Sequence, residues 1–392
     1  MKGFTAKTPE GTKDKLYAEC CKQRKVERSV TELFCHRGYW EIMTPEVEYY
    51  DLFINSGDAL PQESMIKTID RSGKIVVMRP DNTTPIARVA ATQLKNAPLP
   101  LRLYYNQTVF RSDESNQGRR SEIPQCGIEL LGAGGIRGDI EVIVTAIQAF
   151  ERAGAQNFHI ELGHADYFRT LAKELGTDEN VTEKMRRYIE SKNFAALSDT
   201  LEPYCGHKVY NAVKKLSSLF GGIEVLTEAR ELAGEVAGEC LDYLEEIYGE
   251  LCLCGYEDKV KFDLGLVHQI DYYTGVIFRG YAQGAGRAVL SGGRYDALTT
   301  NFGRALPATG FAIDMDALAD SVPDEPDSEL ETVILAEKGM LKRALEIIDA
   351  AKEKKAVLSS KGTLDKCMEE AVKLGAKNVI ILDDKGERKV WL

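Results

Sequence analysis

The chain has 392 residues, 44% apolar and 28% charged, which is the composition of a globular protein and excludes a disordered or collagen-like one. Its 50 Lys and Arg against 61 Asp and Glu leave a net charge of −11, unfavourable for sequence-independent binding of polyanions unless the basic residues are segregated. No apolar run reaches the roughly 18 residues of a membrane span, and the opening MKGFTAKTPEGTKDK has no secretory pattern. The nine cysteines are odd in number and scattered, with no paired Cys-x-x-Cys units, so the expectation is a cytoplasmic protein without a disulfide framework or a metal site.

In chain order, Leu16, Val26, Val30, Leu33 and Phe34 recur at helical spacing and predict an amphipathic helix over residues 15–37. YWEIMTPEVEYYDLF alternates, is rich in aromatics, and reads as a strand running into a break at Pro45. KIVVMRP is a short strand, and DNTTPIARVAATQL is a helix capped by Asp81 or Thr83. LRLYYNQTVFRSD and SEIPQCGIELLG are the arms of a long antiparallel hairpin around the polar loop ESNQGRR. GDIEVIVTAIQAFERAG predicts a helix capped by Asp139, and FHIELGH a strand.

From about 165 to 259 the pattern is helical and rich in Leu, Ala, Glu and Lys, an insertion into the body. Strands return in KFDLGL, YYTGVIFRGYA and AVLSGGRYDAL, and ATGFAIDMDALADS is a strand leading into a helix. The proline- and acid-rich stretch around 321–330 is a linker, and residues 331–392 show a β-α-β-α-β order, a small α/β domain. Residues 1–320 therefore form an α+β body, an antiparallel sheet with flanking helices and a helical insertion, rather than a Rossmann fold.

The glycines of GAGGIRG, 132–138, miss the dinucleotide spacing by one residue and read as a turn. There is no Walker A sequence, H-E-x-x-H or G-x-S-x-G, and each of the five His stands alone. Polar residues inside apolar strands are more informative. Gln125 and Glu129 lie four apart and share one face of a strand. Asp81 and Thr83 follow a strand, Asp271, Tyr272 and Tyr273 sit together, and Tyr295 follows two glycines that would let a ligand approach the backbone. Such carboxylates, amide and tyrosines would line a pocket for a small amino-bearing cation. The alternative is a set of capping and turn residues with satisfied hydrogen bonds.

These pieces, from Thr8 to about Leu318, resemble the catalytic domain of histidyl-tRNA synthetase, a class II aminoacyl-tRNA synthetase. TPEGTKD resembles its opening turn, YWEIMTPEVEYYDLF its motif 1 dimer strand and VFRSDESNQGRRSEIPQCGIELLG its motif 2. IDYYTGVIF and SGGRYDAL resemble its two histidine peptides, ATGFAIDMDAL its motif 3, and the last 60 or so residues a truncated anticodon-binding domain. The resemblance implies a class II synthetase-like fold. It also implies a histidine pocket made by Asp81 (Glu in the family), Thr83, Gln125, Glu129, Tyr272, Tyr273 and Tyr295. Carboxylates would take the α-ammonium of the ligand, while the tyrosines and Glu129 would surround its imidazole.

The nucleotide half departs from the family. Arg111 matches the motif 2 arginine and is the one residual phosphate-binding position, but Asp113 replaces a Glu and Ile123 a Phe. Ala317 stands where motif 3 has its arginine, Asp314 where it has a glycine, and His268 where the family has an arginine that serves adenylation. A kept histidine pocket beside lost ATP chemistry is similar to the regulatory subunits of short-form ATP phosphoribosyltransferase, in histidine biosynthesis. That resemblance implies no catalysis or cofactor of its own, and a partner in the separate short catalytic subunit, which needs it for activity and for feedback by free histidine. It further implies a homodimer within a larger hetero-oligomer, with no tRNA and no membrane. The alternative is an active histidyl-tRNA synthetase, with unusual motifs, that forms histidyl-adenylate and charges tRNA.

Overall fold

In a computed structural model, which describes residues 7–54, 61–112, 120–267, 273–324, 330–351 and 355–392, the first amphipathic stretch is a helix, Tyr17–His36. It buries Val26, Val30, Leu33 and Phe34, the apolar stripe that the spacing predicts. The main sheet comprises β1 (Trp40–Glu41), β2 (Leu101–Phe110), β3 (Glu122–Leu131), β4 (Phe158–His164), β5 (Phe220–Gly221), β6 (Val260–Asp263), β7 (Val276–Ala282), β8 (Leu290–Arg294) and β9 (Ala308–Asp314). Their spatial order is β1-β2-β3-β9-β8-β7-β4-β6-β5. All neighbours are antiparallel except β1 with β2 and β4 with β6.

Strand alternation divides the residues between two faces. Ile128, Leu130, Phe311 and Ile313 join Phe34, Val142 and Phe150 in the large core on one face. Leu103, Tyr105, Leu131 and Tyr295 pack on the other with Ile86 and Ala87 of the helix Thr83–Ala91. That second face carries Glu129, and it is where the candidate site lies. Between β4 and β6 the chain makes six helices, from Ala165–Leu175 to Gly238–Leu253, interrupted only by the two-residue β5 among strands. Among the described residues no helix is long and apolar enough to cross a membrane.

Two local expectations need correction. The aromatic stretch after residue 39 is not one strand. It splits into β1 and a second strand, Val47–Tyr49, that joins Lys67–Ile69 and Ile75–Met78 in a separate sheet before the helix Tyr50–Ile54. Pro45 offers no N–H at the break. The buried Arg79 guanidinium takes up the neighbouring carbonyls, donating to Thr44 at 2.8 Å, Pro45 at 3.3 Å and Thr108 at 2.7 Å. Nor does Asp139 cap its helix. The helix begins at Ile136 after Gly135, and Asp139 turns inward to an arginine.

Residues 1–323 and 324–392 form two compact units. The second is a four-stranded sheet in the order Lys355–Leu358, Leu330–Ala336, Asn378–Asp383, Gly386–Trp391. The helix Leu341–Ala350 packs Ala344 on Ile334 and Ile380, while Leu364–Lys373 packs Cys367 and Ala371 on Val333 and Val379, the opposite face. The last strand, GERKVW, is absent from the sequence expectation, because an edge strand exposed on both faces carries no apolar stripe to reveal it.

Candidate functional site

Glu129 sits in the second half of β3 and is 1% exposed. Across the sheet it faces Gly310 of β9, where any Cβ would fall on the Glu129 carboxylate. The glycine is what lets a carboxyl group fit between strands here. Thr83, first residue of its helix, donates its hydroxyl to Oε1 at 2.7 Å, and the buried Tyr295 donates to Oε2. Asp81 accepts the Thr84 N–H at 2.8 Å. Of the two candidate caps, then, Asp81 caps the helix and Thr83 serves the pocket. Gln125 lies further along the same face and accepts from Asn82 Nδ2 at 3.3 Å. The structure thus gathers Asp81, Thr83, Gln125, Glu129, Tyr273 and Tyr295 about one sheet face, whereas Tyr272, Asp271, His268 and Asp113 lie outside the described residues.

The two glycines before Tyr295 do not open the backbone to a ligand as expected. A Cβ on Gly293 would come within 2.8 Å of the Tyr273 ring, and one on Gly292 within 2.7 Å of Phe278. They seat protein rings, because strand neighbours on both sides place bulk against β8. Two pocket residues escape the sequence reading. Tyr105 is buried opposite Gly127, two positions along the face from Glu129. Asn82 is fully buried, and its Oδ1 has no partner among the described residues. Counting by twos along β2 against Glu129 would reveal Tyr105, but only once the hairpin register is known.

Burial pushes the Glu129 carboxyl up to about 8. The Tyr295 and Thr83 hydroxyls pull against that rise, and the Asp81 charge adds to it. The same burial, with Glu129 beside them, holds the Tyr105 and Tyr295 hydroxyls well above their usual range, so both remain donors. Near neutrality Glu129 is therefore a mostly protonated carboxyl walled by tyrosines. Between the ordinary 4.5 and about 8 the folded chain holds one more proton than the unfolded chain. The stabilising contribution of this group is full below that window and is lost as pH rises through it. Wild-type protein should lose stability relative to Glu129→Gln from pH 5 to 8 in thermal unfolding, whereas parallel curves would mean that Glu129 is ionised throughout.

The nucleotide half is closed by internal pairs. Asp314 Oδ1 caps the helix Met315–Ser321, accepting from Asp316 N at 3.0 Å and Ala317 N at 2.9 Å. Its other oxygen accepts from Arg287 at 2.9 and 3.1 Å, so the Asp314 charge is paired within the protein. Asp316 pairs with Lys15 and Arg120, and Arg111 Nε donates to the Pro80 carbonyl at 2.7 Å. Ala317 is fully buried in the large core. Ile123 stands half-buried on β3, opposite Val109.

Behind Tyr295, Arg294 passes to the other side of the sheet. It lies 2.8 Å from Asp139 and 3.0 Å from Asp296, and it donates to the Gly135 carbonyl at 3.1 Å. Tyr243 of the last insertion helix donates to the same Asp139 at 2.5 Å. Removing one partner of a buried pair leaves an uncompensated charge, so Asp139→Ala should cost about 3 kcal/mol in urea unfolding, the lower end of such losses because Asp296 remains.

The profile of the family described as histidyl-tRNA synthetase matches residues 11–318. A histidyl-tRNA synthetase from Nostoc sp. shares the fold, with a TM-score of 0.79 over 99% of this chain and 97% of its own at 18% identity. The larger unit is thus a domain of the histidyl-tRNA synthetase class. A Bacillus halodurans protein described as an ATP phosphoribosyltransferase regulatory subunit/histidyl-tRNA synthetase superposes with a TM-score of 0.86 at 32% identity, covering 97% of this chain and 99% of that one. The ATP phosphoribosyltransferase regulatory subunit of Clostridium kluyveri is 41% identical over 354 residues, 88% of this chain and 90% of the relative. That of Clostridium acetobutylicum is 39% identical over 87% of this chain and 86% of its own. The chain belongs to the family of ATP phosphoribosyltransferase regulatory subunits.

Proposed function

We propose that the chain is the non-catalytic regulatory subunit of a short-form ATP phosphoribosyltransferase, acting at the first step of histidine biosynthesis, and that free histidine binds at Glu129. The observation that carries this reading is the contrast between the two halves of the site. Glu129 is buried with donors from Thr83 and Tyr295, while the motif 3 arginine position is a buried methyl, Ala317. Asp81 takes the α-ammonium of the ligand, and Glu129 with Tyr273, Tyr295 and Tyr272 surrounds its imidazole. Histidine inhibits because it binds one state of the complex more tightly than the other. Mixing the chain with a short catalytic subunit should raise phosphoribosyl transfer, and histidine should then suppress it. A catalytic subunit equally active alone would overturn the reading.

An exposed apolar edge supports the reading of the assembly. Trp40 is 78% and Met43 80% exposed, on and beside the short edge strand β1. An apolar edge of this kind is an aggregation hazard unless it is covered. The chain pairs with a second copy here, within a larger hetero-oligomer, and light scattering should give twice 43.5 kDa for the isolated subunit. A monomer mass across the micromolar range would contradict this. Residues 324–392 are a relative of an anticodon-binding domain, no tRNA is bound, and the setting is cytoplasmic.

A further inference from the structure

The helical insertion touches the pocket at two separate points. Its first helix, Ala165–Leu175, sends Arg169 to the Tyr273 carbonyl at 2.8 Å, and its first N–H, from Ala165, is accepted by the Gly275 carbonyl at 2.9 Å. Its last helix, Gly238–Leu253, sends Tyr243 to Asp139 at 2.5 Å, and Asp139 holds Arg294, the residue directly before Tyr295. The two helices meet where the Tyr243 ring stands edge-on to His164, whose Nδ1 accepts from Asp166 N at the start of the first helix. Arg169 holds the Tyr273 backbone, and Tyr243 acts through Asp139 on Arg294, next to Tyr295, whose hydroxyl meets Glu129.

The packing around the first of these contacts is open. A cleft of about 430 Å³ separates the first two insertion helices from the segment carrying Tyr273, lined by Phe168, Arg169, Asn180, Glu183, Val267 and Tyr273. A joint that borders a cleft has room to take up two arrangements. The second contact is the opposite case, a buried ion pair with a fixed geometry that ties Tyr243 to β8.

We propose that the helical insertion reports the occupancy of the pocket, with Arg169 and Tyr243 as the positioning residues that couple Tyr273 and Tyr295 to its first and last helices. The inference rests on the histidine reading given above. Ligand that orders the two tyrosines lowers the free energy of the state in which both contacts are made, and the insertion helices close onto the body. The coupling is reciprocal: whatever holds the insertion closed tightens the pocket.

The test is hydrogen exchange on the full chain, with and without free histidine, in wild type, Tyr243→Phe and Arg169→Gln, with calorimetry on each. In wild type, histidine should slow exchange in Ala165–Leu175 and Gly238–Leu253 by about fivefold or more, the lower end of ordinary site-to-site coupling. Tyr243→Phe should still bind histidine but lose the protection in Gly238–Leu253, and Arg169→Gln should lose it in Ala165–Leu175. Arg169→Lys, which keeps a donor, should restore part of it. Heat of binding and protection of β3 and β8 without change in either helix overturns the inference alone. No heat and no protection anywhere overturns the histidine reading, and the inference with it.

Discussion

The purified chain is expected to show no histidine-dependent exchange of pyrophosphate into ATP. Adenylation needs guanidinium groups aimed at charge developing on phosphate oxygens, and loss of one such donor typically costs on the order of 10² to 10³ in rate. At 317 the side chain is a methyl within the large core, and the first turn of that helix is occupied by Asp314 as its cap. Among the described residues, Arg287 pairs with Asp314, and both Lys15 and Arg120 pair with Asp316. A phosphate entering here would have to displace carboxylates held close to their partners. The loss is also not reversible by one substitution. Ala317→Arg would bury a guanidinium among apolar side chains, so it should destabilise the fold without restoring exchange. Turnover near that of an ordinary synthetase would overturn the non-catalytic reading.

The second large effect is expected at Glu129. Replacing it with Ala removes the acceptor proposed for a ligand N–H and also strands the Thr83 and Tyr295 hydroxyls, which donate to its two oxygens. A hydrogen bond to a charged group is worth about 1.5 to 3 kcal/mol, so affinity for free histidine should fall more than tenfold in calorimetry. Glu129→Gln keeps the volume and separates binding from assembly. Glu129 is 1% exposed and presents no surface to a partner. The variant should therefore still activate a short catalytic subunit, while inhibition shifts to higher histidine. Typical coupling of about 1 to 3 kcal/mol, or 5- to 150-fold, gives a shift that an activity titration resolves. Wild-type sensitivity in the variant would place the sensor outside this pocket.

Much of this was legible in the chain itself, for reasons of range. Helical spacing in residues 15–37 and the alternation of the hairpin arms on either side of ESNQGRR are local patterns, and the backbone obeys them. The same holds for Gln125 and Glu129, whose shared face follows from strand periodicity alone. Tertiary structure decided whatever depended on a distant partner. Tyr295 and Glu129 are 166 residues apart, and Arg294 and Asp139 155. No local pattern shows that Asp139 leaves its helix cap for a guanidinium, or that Arg287 cancels the charge of Asp314. Nor does it show that Gly293 and Gly310 make room for Tyr273 and Glu129 rather than for a ligand. A side chain's type states what chemistry it can offer. Which atom receives it is set by strand register and by the low dielectric of the core, where an unpaired charge or donor is too costly to leave and each polar group must find the partner that folding brings to it.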